Sequence, residues 1–215
     1  MARKFTLQSR TAAGDIDFGA DLNPEQLAVA TAPGGPMLVV AGAGSGKTRA
    51  LTYRLAWLVH HGVEPGRILL VTFTNRAARE MLNRVELLVK QKTKDIWGGT
   101  FHHIANRILR IHGKRLGISP DFTILDREDA KDLLASCVDE AGVDTRERRF
   151  PQKNVLAAIS SFLQNTLEPL QAVITKRFPM FIQEMEGVEK VLVLYTEKKR
   201  ARQLLDFDDL LSAWL

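Results

Sequence analysis

The 215 residues leave room for one large domain or two modest ones, with roughly 70% of the unfolded surface buried on folding. Hydrophobic residues at 45% and charged residues at 26% exclude disorder, collagen-like repeats and coiled-coil rods, and the single cysteine, Cys137, excludes an internal disulfide and fits a cytoplasmic, reducing compartment. The net charge of +5 is uneven: −1 over residues 1–42, +8 over 43–111 and −2 over 112–215, so the middle third either faces a polyanion or carries ordinary solvated helix faces.

Residues 1–21 lack periodicity and read as a flexible leader. Asn23 is a favoured N-cap, Pro24 suits the first helical position, and Gln26 stands where its side chain can reach back to the cap. A short helix follows, broken by Pro33, Gly34, Gly35 and Pro36. Met37 to Val40 then form a continuous apolar run, the pattern of a strand buried on both faces. From Thr48 the period changes, with Leu51, Leu55, Leu58 and Val59 on one face of a helix that ends near Gly62.

Ile68 to Phe73 predicts a second strand, and Ala77, Ala78, Met81, Val85 and Leu88 a second amphipathic helix. Ile96 to Phe101 is a weaker third strand, followed by helical spacing at Ile104, Ile108 and Ile111. This alternation indicates an α/β fold with a parallel sheet flanked by helices. Beyond Gly113 the texture is helical, with segments from Asp126 to Val138, from Pro151 to Leu163 and from about Phe181 onward. That change of texture places a boundary near residues 112–120. No apolar run approaches the ~20 residues that span a bilayer, and no membrane partner is expected.

Between the first strand and its helix lies Ala41-Gly42-Ala43-Gly44-Ser45-Gly46-Lys47-Thr48, the phosphate-loop pattern GxxxxGK[ST] with alanine at its first position. Glycines permit positive φ and close backbone approach, so that successive N–H groups of Ala43, Gly44, Ser45 and Gly46 can ring an anion at a helix N-terminus. Lys47 offers a mobile cation for β- and γ-phosphates, and the Thr48 hydroxyl offers a ligand for Mg²⁺ held with the nucleotide. The simpler alternative is a glycine-rich turn that binds nothing; the strand-to-helix context favours the nucleotide.

LNPEQLAV at 22–29, AGAGSGKT at 41–48, TFTNRAAREM at 72–81, GTFHHIANRILR at 99–110 and LLDFDDLL at 204–211 occur in this order and at similar spacing in the UvrD, PcrA and Rep group of superfamily 1 DNA helicases, which the chain resembles. Alanine at position 41 is usual in that group. The resemblance implies a partial RecA-like P-loop NTPase domain over 22–112, an inserted all-helical subdomain over 113–203, and a return toward the first domain over 204–215. It implies ATP and Mg²⁺ as cofactors, with Lys47 and Thr48 as catalytic-loop residues, Gln26 reading adenine and Arg49 near the base and ribose. It assigns Thr72, Phe73, Thr74, Asn75 and Arg76, together with Thr100, Phe101 and His102, to single-stranded DNA or duplex junctions.

Simpler readings stand beside several of these roles. Gln26 can serve as a capping residue, Phe73 as the last core residue of its strand and Asn75 as a helix cap. His103 replaces the serine often found after the family's histidine, and the His102-His103 pair has no cysteine or carboxylate near it at ligand spacing, which argues against a metal. Lys198, Lys199, Arg200 and Arg202 read as the wet face of a helix. Asp206, Asp208 and Asp209 read as caps or partners of basic neighbours on a helix that re-enters the first domain's core.

By the resemblance, the Walker B strand and the second RecA-like domain come after Leu215. The chain is therefore expected to be the amino-terminal portion of a 3′ to 5′ helicase or translocase of replication or repair, inactive as a helicase by itself. The rival functions are a P-loop nucleotide kinase, for which TFTNRAAREM has no obvious use, and a non-catalytic nucleic-acid-binding module. Protein partners are not legible.

Overall fold

The computed structural model describes residues 16–90, 93–143 and 150–215; most of the expected leader, residues 1–15, lies outside these. The chain divides into two compact units between Ile104 and Ala105, inside a helix and upstream of the boundary expected at 112–120. The physical reason is that the two ends of this helix serve different cores. Ala105 and Leu109 are buried with Phe122 and Leu210 in the second unit, whereas Phe101 at the start of the helix meets Phe73 in the first.

The first unit opens on α1 (Phe18–Asp21), whose N-cap Asp17 accepts from the Ala20 N–H. Part of the expected leader is therefore ordered, and Ile16 and Phe18 pack against Leu22, Ala30 and Tyr53. α2 (Pro24–Thr31) has the full capping box: Asn23 Oδ1 accepts from the Gln26 N–H at 2.8 Å, and Gln26 Oε1 accepts from the Asn23 N–H at 3.4 Å. Proline at the first helical position needs no donor there, so the sequence starts this helix at little expense.

α3 (Lys47–His60), β1 (Leu69–Thr72), α4 (Asn75–Val89) and β2 (Trp97–Thr100) follow, and α5 (Phe101–His112) leads out of the unit. β1 and β2 pair in parallel, with Leu69 opposite Trp97 and Thr72 opposite Thr100. α4 starts where Thr74 Oγ1 accepts from the Ala77 N–H at 3.1 Å, so the cap is Thr74 and Asn75 is the first helical residue. The core joins Leu55, Ala56 and Val59 of α3 to Ile68 and Leu70, to Met81, Val85 and Val89 of α4, and to Ile96. Full burial of each such large aliphatic side chain contributes roughly 1.5–3 kcal/mol.

β2 lies tightly on α4 because Gly98 has no side chain. A Cβ there would come within 2.6 Å of Leu82, and one at Gly99 within 2.7 Å of His103. A glycine within a strand commonly marks such a close approach.

Two sequence expectations for this unit are corrected. Met37 to Val40 form no strand, and Leu38 and Val40 are each 89% exposed. A buried strand needs a hydrogen-bonded neighbour and cover on both faces, but β1 and β2 pair only with each other and no described strand pairs with residues 37–40. On α3 the buried residues are Ala50, Thr52, Tyr53, Leu55, Ala56 and Val59, while Leu51 is 42% exposed. The small residues Ala50 and Ala56 let neighbouring elements approach, which rotates the buried stripe away from Leu51.

In the second unit α5 is followed by β3 (Thr123–Ile124), α6 (Arg127–Glu140), α7 (Lys153–Thr166), α8 (Leu170–Arg177), α9 (Met185–Ala201), β4 (Leu204–Leu205) and α10 (Phe207–Trp214). α6 begins as expected, with Asp126 accepting from the N–H groups of Glu128 and Asp129. Its core gathers Leu134, Cys137, Phe150, Leu156, Ile159, Ile174, Val188, Val191 and Tyr195.

This unit is not purely helical, because β3 and β4 pair in parallel. Two residues are too few to show a strand period, so nothing in the pattern announced them. Ile111 is 54% exposed, while the buried face of α5 carries Ile104, Ala105 and Leu109.

Candidate functional site

The residues expected to bind nucleotide come together in the first unit. Gly44 and Gly46 adopt φ of +77° and +82°, left-handed values that a side chain would oppose. Gly46 is the N-cap of α3 and has no side-chain cap, so the first N–H groups of the helix face outward from an exposed loop. The loop is closed by Ser45, whose Oγ donates to the Gly42 carbonyl at 2.8 Å. Lys47 Nζ donates to the Ala41 carbonyl at 3.0 Å and to the Gly42 carbonyl at 2.5 Å. Ala43 lies exposed at the tip, and Thr48 is exposed in the first turn of α3.

Gln26 takes the capping role and also reaches the loop. While completing the capping box of α2, its Nε2 donates to the Ser45 carbonyl at 3.0 Å, which places this amide at the rim of the loop. Arg49 is held by two bonds to the Asp21 carbonyl, at 3.2 Å from Nε and 2.7 Å from Nη2, and its guanidinium lies 5.3 Å from the centre of the Tyr53 ring. Tyr53 in turn donates to Asp21 Oδ2 at 3.0 Å. Burial first, then the hydrogen bond to Asp21 and the charge of that carboxylate, raise the Tyr53 hydroxyl above its ordinary range.

Asp21 and Tyr53 were not singled out from the sequence, since 28 residues separate Asp21 from Arg49 and no local pattern links them. Arg54 was also missed. It donates to the carbonyls of Ala30, Ala32 and Pro33, fastening the end of α2 to α3.

The second predicted group gathers at the carboxyl ends of β1 and β2, the edge at which open parallel sheets collect ligands. Phe73 is 92% exposed, which rules out the reading of it as a core residue. Its ring centre lies 5.9 Å from that of Phe101, and Phe101 is 40% exposed. Thr72 Oγ1 donates to the Thr74 carbonyl at 2.8 Å. Thr100 Oγ1 accepts from the His103 N–H at 3.2 Å and so starts α5.

Asn75 lies exposed on the first turn of α4, and His102 is half-buried beside Phe101. Arg76 pairs with Glu80 at 3.0 Å, with both side chains largely exposed. A pair of this kind contributes about 0.3–0.5 kcal/mol and yields readily to a stronger anion. The arrangement offers two aromatic faces among hydroxyls, an amide and a mobile guanidinium.

In the second unit Lys199 corrects the sequence reading of a solvated basic face. It is 4% exposed, with Nζ 2.6 Å from Asp206 Oδ2 and 2.5 Å from Asp209 Oδ2 and 4.4 Å from the centre of the Tyr195 ring. The Tyr195 hydroxyl donates to Asp206 at 2.9 Å. Asp206 and Asp209 form a capping box on α10, as their reading as caps and basic partners anticipated. Asp208 accepts from Asn165 Nδ2 at 3.1 Å. Among the described residues no three His, Cys, Asp or Glu side chains gather as a metal site.

The two carboxyls of this cluster shift in opposite directions. Burial raises Asp209, the Asp206 charge adds to that, and Lys199 offsets only part. Burial also raises Asp206, but the Lys199 ammonium, its hydrogen bond, the Asp209 N–H and the Tyr195 hydroxyl outweigh it and hold Asp206 below its ordinary value. A raised carboxyl stabilises the fold below its unfolded pKa, and that contribution is lost as pH rises through the folded value. A depressed carboxyl stabilises above its unfolded pKa, and that contribution is lost as pH falls through the folded value.

Acidification from neutrality should therefore first strengthen this unit as Asp209 takes a proton, and then weaken it as Asp206 does. Urea midpoints measured from pH 7 downward are expected to pass through a maximum. Asp209→Asn is expected to remove the rise and keep the fall, and a rise of the same size in the variant would contradict this account.

The sequence also matches known proteins. Residues 22–215 match the family model described as the UvrD/REP helicase N-terminal domain. The chain is 40% identical over 191 residues to the ATP-dependent DNA helicase PcrA of Bacillus subtilis, covering 88% of this chain and 25% of that protein. It is 38% identical over 192 residues to PcrA of Leuconostoc citreum, covering 88% and 25%, and 39% identical over 192 residues to PcrA of Staphylococcus epidermidis, covering 89% and 26%. It thus spans about a quarter of the length of these relatives. The mixed fold with small parallel sheets agrees with a partial P-loop helicase domain, and no described helix is long and apolar enough to cross a membrane. With nearly the whole length matched, the chain belongs to the UvrD/REP helicase family, in its N-terminal domain.

Proposed function

We propose that this chain is the ATP-binding amino-terminal portion of a cytoplasmic, ATP-dependent DNA helicase or translocase that moves 3′ to 5′ on single-stranded DNA and acts at duplex junctions in replication or repair. Residues 22–112 are read as the RecA-like part, 113–203 as the inserted helical subdomain and 204–215 as the return toward the RecA-like part. The observation that carries the reading is the exposed loop at residues 41–48, left-handed at Gly44 and Gly46, with Lys47 at the head of α3 and Gln26 on its rim. Outward N–H groups, a mobile ammonium and a two-faced amide fit a triphosphate tail joined to an adenine.

On binding, Lys47 exchanges the Ala41 and Gly42 carbonyls for phosphate oxygens, and the charge gained makes the new bonds stronger than the old. Gln26 trades its bond to Ser45 for the base edge, and Arg49, stacked on Tyr53, flanks the base and ribose. The Thr48 hydroxyl would hold Mg²⁺. That ion supplies charge neutralisation between the phosphates. Phe73 and Phe101 stack bases, while Thr72, Thr74, Asn75, Arg76, Thr100 and His102 hold the strand's phosphates and sugars.

Phosphoryl transfer depends on positioning and charge stabilisation from both walls of a cleft. The residues of the loop supply one wall, so the chain alone is expected to bind ATP and not to turn it over. The test measures ATP·Mg²⁺ binding by calorimetry and steady-state hydrolysis with and without single-stranded DNA. Binding without DNA-stimulated turnover is the expected result. Robust stimulated turnover would overturn the reading of an inactive portion, and absence of any binding heat from folded protein would overturn the nucleotide site itself.

A further inference from the structure

Gly46, the residue ahead of Lys47, brings two side chains to one side of the phosphate loop. A Cβ at this position would collide with Gln26 Nε2 and lie 3.9 Å from Arg49 Cβ. Gln26 is fixed there by the capping box and by Ser45. Arg49 is long and exposed, a side chain with much rotamer freedom to lose, and what holds it comes from Asp21 and Tyr53.

Asp21 ends α1, so its carbonyl lacks a partner within that helix, and the Arg49 fork fills it from Nε and Nη2. That carbonyl is itself placed. The Tyr53 hydroxyl donates to Asp21 Oδ2, Leu22 is buried in one cluster with Tyr53, and Phe18 meets the Tyr53 ring edge-on with 6.1 Å between centres. Because its pKa is raised, the Tyr53 hydroxyl keeps its proton at neutral pH and stays a donor. Tyr53 thus acts on Arg49 by two routes: its ring lies close to the guanidinium, and its hydroxyl steadies the residue whose carbonyl Arg49 grips.

We infer that Asp21 and Tyr53 are positioning residues for the nucleotide: they preset Arg49 at the base and ribose end, so that binding need not order it, and leave the phosphate tail to the loop. The inference rests on the nucleotide reading given above and extends it to two residues outside the motifs at 22–29 and 41–48. The Arg49 fork has N–H groups beyond the two used on Asp21, so it can meet a ligand without letting go of α1. The competing account makes Arg49 only a brace for α1, and it predicts no distinction between ligands with and without a base.

The test uses calorimetry on the full 215-residue chain with two ligands, ATP·Mg²⁺ and Mg²⁺ tripolyphosphate, which has the tail without base or ribose. Tyr53→Phe keeps the ring and removes the bond to Asp21, Asp21→Ala removes the same bond from the other side, and Asp21→Asn keeps an oxygen that can accept it. Having to order one rotamer-rich side chain on binding weakens affinity about two- to tenfold. That loss is expected for ATP in Tyr53→Phe and in Asp21→Ala, with tripolyphosphate affinity unchanged, while Asp21→Asn is expected to match the parent. In an Arg49→Ala background Tyr53→Phe is expected to have no further effect, because it acts through that side chain.

Melting curves check that each variant is folded, and Asp21 is exposed, so Asp21→Ala carries the test even if Tyr53→Phe unfolds. Parent-level ATP affinity in the folded variants overturns the inference, as does an equal loss for ATP and tripolyphosphate, which would assign these residues to the fold of the loop. Either result leaves the nucleotide site standing. A parent that binds neither ligand overturns the nucleotide reading and the inference with it.

Discussion

Replacing Lys199 by alanine is expected to destabilise the Ala105–Leu215 unit by about 3–5 kcal/mol, the range for breaking a buried ion pair by removing one partner. The size follows from what the ammonium faces. Asp206 and Asp209 lie 2.6 and 2.5 Å away, and without Lys199 two carboxylates stay opposed in a poorly hydrated site. Both also cap α10, so relief by moving apart would unwind the first turn of that helix.

The expected result contains a second half. Lys199→Met combined with Asp206→Asn and Asp209→Asn removes all three charges at similar volume, and asparagine still caps a helix. This triple variant is expected to recover most of the loss, since neutral replacements of buried ion pairs are often neutral or stabilising. Urea unfolding followed by circular dichroism reads both variants. A loss below ~1 kcal/mol in Lys199→Ala would mean that water reaches the pair and that its burial is not felt.

The second large effect concerns the loop. Lys47→Ala is expected to lower ATP·Mg²⁺ affinity by roughly 10- to 150-fold, equivalent to about 1.5–3 kcal/mol for charge-assisted hydrogen bonds. Stability should barely change, because the bonds that Lys47 makes to Ala41 and Gly42 lie on the exposed surface. Lys47→Arg is expected to fail nearly as badly, since a planar fork cannot replace a compact point charge within a tight ring of amides. Calorimetry decides, and affinity retained in Lys47→Ala would separate nucleotide binding from this loop.

Much of the first unit was legible from spacing alone. The positions of β1 and β2, each one residue shorter at either end than the apolar run, the approximate length of α3 and the Asn23–Gln26 capping box of α2 follow from local rules of period and hydrogen bonding. What stayed hidden depends on contacts distant in sequence. Whether Met37 to Val40 becomes a strand depends on a neighbour that local composition does not reveal. Lys199 carries the same charge whether it faces water or two carboxylates, and only the fold of α9 onto α10 decides which. Asp21 lies in a stretch that reads as a leader, yet it anchors Arg49 and Tyr53. α8 was missed because Leu170–Arg177 is short and only weakly amphipathic. Exposure of Phe73 could not be read from a strand-end phenylalanine, since the same residue serves cores equally well.

The segment Met37 to Val40 has a practical consequence for handling the chain in solution. Four neighbouring apolar side chains with unladdered backbone groups offer a template on which another extended chain can zip. Pro36 upstream and Gly42 downstream confine that template to a few residues, which limits how far any stacking can spread. Self-association of concentrated samples, followed by light scattering, is expected to fall in Leu38→Lys, because a charge on an exposed edge opposes pairing.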